Sequence, residues 1–204
     1  MQSRSVEFAK KFGVIFEVRS SLNDNPGTIV KEETKSMEDV VVRGVSLDKN
    51  QAKLTLVAVP DKPGVAARVF KAIGDANVNV DMIVQNISHG TGKPATDISF
   101  TVEKADLLKA QKVIEGLKKE IGFGEAIATD KIGKLSIVGV GMKSHSGVAG
   151  KMFDTLAREG VNIEMISTST IRISCVVRAD QVEKAVQALH YAFGLAEGST
   201  GVLA

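Results

Sequence analysis

The chain has 204 residues, 25% of them charged and 44% hydrophobic, enough for one large or two small domains with real cores. Its 26 Lys and Arg against 24 Asp and Glu give no electrostatic case for a nucleic-acid partner, and no apolar run nears the ~20 residues of a membrane span. One cysteine, no tryptophan, eight Phe and one Tyr exclude a disulfide framework, a cysteine-rich metal site and a base-stacking platform. No signal-type leader opens the chain, so a soluble, cytoplasmic protein is expected.

Residues 1–35 begin with VEFAKKFG, which reads as the last turns of a helix, then VIFEVRSS as a strand and LNDNPGT as a turn. These pieces are too few to build a core. They are expected to be the edge of a neighbouring domain, or a strand donated to the later part of the chain. A strand is expected at 40–47, a hairpin turn at Lys49-Asn50, and a strand buried on both faces at 54–59. The loop PDKPGVAA then leads into a helix marked by Val65, Val69, Ile73 and Ala76. Strands at 78–87 and 96–103 flank the turn-forming HGTGKPA. Leu107, Leu108, Ala110, Val113, Ile114 and Leu117 mark an amphipathic helix that Gly122 ends.

This pattern occurs twice. Residues 64–83, GVAARVFKAIGDANVNVDMI, align without gaps on residues 147–166, GVAGKMFDTLAREGVNIEMI, with eight of the twenty positions identical. LTLVAV and LSIVGV match upstream, and Ala105-Asp106 matches Ala179-Asp180 downstream. The second copy has its own leading strand at 125–129, a hairpin turn at Lys131-Ile132-Gly133, a short connection near 167–170 and a last helix at 179–193. Four strands with two helices on one face is the ferredoxin-like sandwich, an α+β fold with antiparallel sheets. Each copy is of βαββαβ type, permuted if its leading strand fills the fourth sheet position. The expected boundaries are 1–35 for the leading segment, 36–131 and 132–195 for the two copies, and 196–204 for a mobile tail.

The strand-to-helix loops carry the chemistry. PDKPGVAA and GMKSHSGVAG each lead into a helix whose first N–H groups lack intrahelical partners. Gly64 and Gly147 permit close approach to that backbone, and the helix dipole favours an anion such as a small carboxylate. Asp61 would accept the ligand's ammonium; the plain alternative is a tight turn, Asp61 to Gly64, that starts a helix. Asn79 and Asn162 hold the same repeat position, where an Asn commonly closes a turn, yet the loop, glycine, Asn and acidic residue all recur. Gln85, Ser88, Ser167 and Ser169 add polar groups further along, or simply line a solvated edge.

Catalytic patterns are poor. Cys175, in IRISCVV, reads as core; His89, His145 and His190 have no metal-ligand spacing. GVGMKS meets neither the Walker A pattern nor the dinucleotide fingerprint.

VRGVSLDKNQAKLTLVAVPDKPGVAARVFKAI, Gln85-Asn86-Ile87-Ser88, GVGMKSHSGVAGKMFDTL and NIEMISTSTIRISCVV together closely resemble the regulatory half of aspartate kinases, a tandem of ACT domains. EFAKKFGVIFEVRSSLNDNPGTIV resembles the end of that family's kinase domain. The resemblance implies a separate regulatory subunit or an excised regulatory region. It carries no catalysis or cofactor of its own; ATP and Mg belong to the kinase module, which is not among these residues. The implied effectors are lysine and threonine, bound where ACT domains of two chains meet side by side. The partners are a second copy, the kinase catalytic subunit or domain, and no nucleic acid or membrane.

Carried over by motif, the first effector site takes Asp61, Lys62, Pro63, Gly64, Val65 and Ala66 with Asn79, Val80, Asp81 and Gln85. The second takes Ala149 and Gly150 with Asn162, Ile163, Thr170 and Ile171. Ser88, Ser99 and Ser169 match positions whose alteration relieves inhibition in relatives. Two departures concern the second site: Ser146 stands where many relatives have Pro, and Thr170 where an acidic residue is common. A homodimer built edge to edge into an eight-stranded layer is expected, because each small sheet leaves edges to cover. A free-standing ACT sensor for another partner and a purely structural dimerisation module are the competing readings.

Overall fold

A computed structural model describes residues 2–31, 41–88, 95–143 and 145–195. The expected mobile tail and the HGTGKP part of the turn fall outside them. In the leading segment, α1 (Ser3–Lys11) is followed by a two-stranded ribbon of β1 (Phe16–Val18) and β2 (Thr28–Val30), whose second strand the sequence reading missed. Among the described residues of this segment with a burial assignment, none is buried. Phe8, Phe12, Val14, Ile15, Leu22 and Ile29 are exposed, and Phe8, Phe12, Val14 and Phe16 line a cleft of about 310 Å³.

The first unit runs without interruption: β4 (Gln51–Pro60), α2 (Val65–Asp75), β5 (Val80–Ser88), β6 (Ala95–Glu103), α3 (Leu107–Ile121) and β7 (Glu125–Thr129). The sheet order is β5-β6-β4-β7, antiparallel throughout. Alternation sends Ala52, Leu54 and Leu56 of β4, with Ile98, Phe100 and Val102 of β6, under the helices, where Val69, Ile73, Ala110 and Ile114 meet them. Phe70 packs edge-on against Phe100, ring centroids 5.5 Å apart. Gly122, at φ 79°, ends α3 as expected. Arg68 grips Glu120 at 2.5 and 2.8 Å, tying α2 to α3; that hydrogen bond holds the Glu120 carboxyl below its usual pKa.

The second unit contains β8 (Ile132–Val138), α4 (Val148–Arg158), β9 (Met165–Thr168), β10 (Arg172–Arg178) and α5 (Val182–Ala192). Its fourth strand is β3 (Gly44–Asp48), giving the order β3-β8-β10-β9. Here the expected hairpins are corrected. β3 pairs with β8, Val45 opposite Ile137 and Leu47 opposite Leu135, while β7 pairs with β4, Leu54 opposite Ala128. The first unit is therefore a plain βαββαβ, and only the second is permuted. A boundary at residue 131 leaves β3 on the wrong side. The chain does reverse at Lys49-Asn50, and at Asp130-Lys131 rather than Lys131-Ile132-Gly133, because Ile132 and Gly133 already belong to β8; each reversal leads from one sheet into the other. Asp48 Oδ1 accepts the Asn50 N–H at 2.8 Å, and Thr129 Oγ1 accepts the Lys131 N–H at 3.1 Å.

Each sheet buries one face under its own helices and turns the other toward the opposite sheet. Met82, Ile132, Met165 and Val176, with Val84 against them, form an apolar cluster drawn from both units. Hydroxyl pairs line the same faces: Thr55 with Ser99 at 2.9 Å, and buried Ser136 with Ser174 at 2.7 Å.

Candidate effector site

Both of the helices that follow the candidate loops start from a glycine in the left-handed region. Gly64 caps α2 at φ 93°, ψ −16°; Gly147 caps α4 at φ 92°, ψ −10°. Only glycine takes this left-handed conformation readily, and nothing lies within 4 Å of where a side chain would stand. No side chain caps either helix. Val65 N–H donates to Lys62 O at 3.4 Å, which leaves the Ala66 and Ala67 amides in the first turn of α2 without an intrahelical acceptor. Lys62 N–H donates to Pro60 O at 2.9 Å, which folds the loop and leaves Asp61, Lys62 and Pro63 exposed beside the helix start. Val65 and Ala66 are half-buried, as is Ala149; Gly150 is exposed in the first turn of α4.

The structure separates the two halves of each candidate site within one unit. Pro60 stands opposite Ala95, which stands opposite Ser88; at the other end of the sheet Ala52 stands opposite Val102, and Val102 opposite Val80. At ~3.3 Å per residue, the loop at Asp61–Gly64 and the strand entry at Asn79–Asp81 are about 25 Å apart. The cause is local: an eleven-residue helix carries the chain back down the sheet before β5 begins. The second unit repeats this. Gly139 N–H donates to Ile171 O at 2.9 Å, so Thr170 and Ile171 share an end with the loop before α4, whereas Asn162 and Ile163 precede β9 at the far end. Gln85 is exposed on β5, an edge strand of its sheet.

Ser88 closes β5. Ser169 shapes the β9–β10 hairpin: its N–H donates to Arg172 O at 2.7 Å, and its Oγ accepts the Ile171 N–H at 3.4 Å. Ser99 lies away from the loops, bonded to Thr55 on the face toward the second unit. Asp81 is ion-paired with Lys134 of the second unit, and Glu164, its repeat counterpart, with Lys53 of the first. Sequence reading noted Glu164 only as the acidic counterpart of Asp81 and passed over Lys53 and Lys134. The signal was the alignment itself, which puts Lys53 on Lys134 and Asp81 on Glu164.

Burial pushes the Cys175 thiol up to about 12, so it stays protonated and is a core side chain, as expected. Among the described residues no cluster of His, Cys, Asp and Glu suits a metal ion, and no helix is long and apolar enough to cross a membrane.

Two four-stranded ferredoxin-like units, one a plain βαββαβ and one permuted, each with a glycine-started helix, define a tandem of the ACT class. The ACT domain profile matches residues 54–116 and 135–193. Aspartokinase of Mycolicibacterium smegmatis is 48% identical over 195 residues, 94% of this chain and 46% of that protein. A crystal structure of aspartokinase alpha and beta subunits is 45% identical, with TM-score 0.70 over 75% of this chain and 99% of that one. The ligand-free regulatory subunit of aspartate kinase from Thermus thermophilus is 42% identical, also with TM-score 0.70 and the same coverage. The chain belongs to the aspartate kinase family, as its regulatory ACT-domain part. It spans about half the length of the curated relatives it matches.

Proposed function

We propose that this chain is the feedback sensor of an aspartate kinase. It binds threonine, lysine or both between ACT units, and so inhibits the ATP-dependent phosphorylation of aspartate carried out by a kinase module in the cytoplasm. The observation that carries the reading is the twice-built helix start, a left-handed glycine at the N-cap of α2 and of α4, in a chain of this family. Helix amides meet the effector's carboxylate, and Asp61 accepts its ammonium. ATP and Mg act in the kinase module.

The separation of the half-sites supports assembly with a second copy. β5 is an edge strand, and two β5 edges paired antiparallel bring the Ser88 end of one next to the Val80 end of the other. Asp61–Gly64 of one copy then meets Asn79–Asp81 of the next. Inhibition follows if the effector favours the assembly that holds the kinase inactive, because only differential affinity shifts such an equilibrium. The exposed apolar groups of α1 and the β1–β2 ribbon favour a kinase-attached sensor over a free-standing ACT sensor, which has no use for such a surface.

The test is a thermal scan with threonine and lysine. At a hundred times the dissociation constant, ligand stabilises the wild type by about 2.7 kcal/mol. Asp61→Ala keeps the unliganded melting point and loses most of that gain for threonine. An unchanged threonine shift in the variant removes Asp61 from the site, and no shift with either amino acid in the wild type removes the sensor reading.

A further inference from the structure

The contacts that join the two units follow the pseudo-symmetry of the repeat. Lys53 of the first unit reaches Glu164 of the second, and Lys134 of the second reaches Asp81 of the first. Both lysines are shielded: Lys134 is 11% exposed and Lys53 18%. Asp48, on β3, stands 3.7 Å from Lys134 as a second counter-charge. An apolar cluster including Met82 and Met165, the residues just after the two acids, packs in the same layer.

The acids occupy a special place on their strands. Asp81 is two residues past Asn79, and Glu164 two past Asn162. At Asp81 the register of β5 against β6 breaks, between Val80 and Ile83, and Met82 N–H donates to Thr101 Oγ1 at 3.1 Å. Such a bulge disrupts the ladder locally and re-aims the side chains at the strand entry. Glu164 lies just before β9 begins, its N–H donating to Val176 O at 2.8 Å. The lysines stand on the strands that lead to the other candidate loops. Lys53 is on β4, which runs on to Asp61–Gly64; Lys134 is on β8, which runs on to Gly147.

We propose that Lys53 and Lys134 are positioning residues that couple the effector sites of the two units. A ligand drawn to Asn79 shifts the bulge, Asp81 pulls on Lys134, and β8 passes the displacement to the loop before α4. Glu164, Lys53 and β4 form the reciprocal path. The device rests on the sensor reading above and adds to it the residues through which one site reads the other.

The experiment is calorimetric titration of the 204-residue chain with threonine, alone and with saturating lysine. The wild type is expected to change its threonine dissociation constant at least fivefold, within the 5–150-fold range usual for coupled sites. Lys53→Met and Lys134→Met should bind threonine alone within about twofold of wild type and bring the lysine effect close to one. The exchanged pair, Lys53→Glu with Glu164→Lys, keeps a bridge between the units and should keep the coupling; this also guards against a Met variant that fails to fold. Binding of neither amino acid to the wild type overturns the sensor reading and the coupling with it. Wild-type binding that is uncoupled or simply competitive, full coupling in both Met variants, or its loss in the exchanged pair overturns the coupling alone.

Discussion

The two units share a fold but reach it by different routes. The first is one continuous stretch from β4 to β7, whereas the second borrows β3 from the far side of the first. Their cores differ in a related way. Register and repeat alignment put Cys175 where the first unit has Phe100, and Met152 and Leu156 where it has Val69 and Ile73. All six are buried. Bulk has moved from sheet to helix while the packed layer stayed, so the duplication preserves spacing and volume rather than particular side chains.

The sharpest way to break this comparison is to empty the two equivalent sheet positions. Phe100→Ala should destabilise the first unit by about 3–5 kcal/mol, while Cys175→Ala should cost about 1 kcal/mol in the second. Denaturant unfolding followed by amide hydrogen exchange in each unit measures both. Equal losses would refute the idea that the helix supplies the bulk in the second unit.

A smaller contrast lies where each inner strand ends. Ala58 holds a left-handed φ of 54°, and Gly139, its repeat counterpart, has the backbone of Val41 and Val42 pressed against it. A Cβ at Gly139 would collide with Val41 O, so Gly139→Ala should destabilise the second unit by about 1–3 kcal/mol through displacement of the chain entering β3. Ala58→Gly relieves a strained conformation in the first unit and should change stability by less than about 1 kcal/mol, in the stabilising direction. Melting temperatures moving the same way in both variants would contradict this contrast.

The hydroxyl pairs sharpen the comparison further. Ser136 and Ser174 are buried, whereas Thr55 and Ser99 are only half-buried. Ser174→Ala strands the Ser136 hydroxyl and should cost about 1–2 kcal/mol; Ser99→Ala, whose partner can still find water, should cost less than half as much. Equal costs by denaturant titration would place both pairs in the same environment.

Helical spacing in Val65–Ile73 and Leu107–Leu117, the stop at Gly122 and the duplication were legible in sequence because each is a local signal. The exchange of β3 and β7 was not. Residues 44–48 pair equally well with LTL or LSI, and a two-residue turn at Lys49-Asn50 suits a hairpin and a crossover alike. Only the apolar layer between the sheets decides, and it is assembled from residues as far apart as Met82 and Val176. For the candidate site the sequence supplies residue types, and the resemblance joins them across two chains rather than within one unit. The motif put Asp61 and Asn79 in one site; the helix between them sends them to opposite ends of a sheet.

Gly44 pairs with Val138, so everything from β4 to β7 must be made before the second sheet can close. During synthesis the first unit can fold as it emerges, with β3 waiting beside it as an unpaired strand. Closure across such a span is slow, and a waiting edge is open to wrong partners, so the second unit should be the later and more aggregation-prone to form. Once closed, the same pairing staples the molecule. A protease cut at Asp130, in the exposed turn between β7 and β8, would leave β3 seated in the second sheet and release neither half.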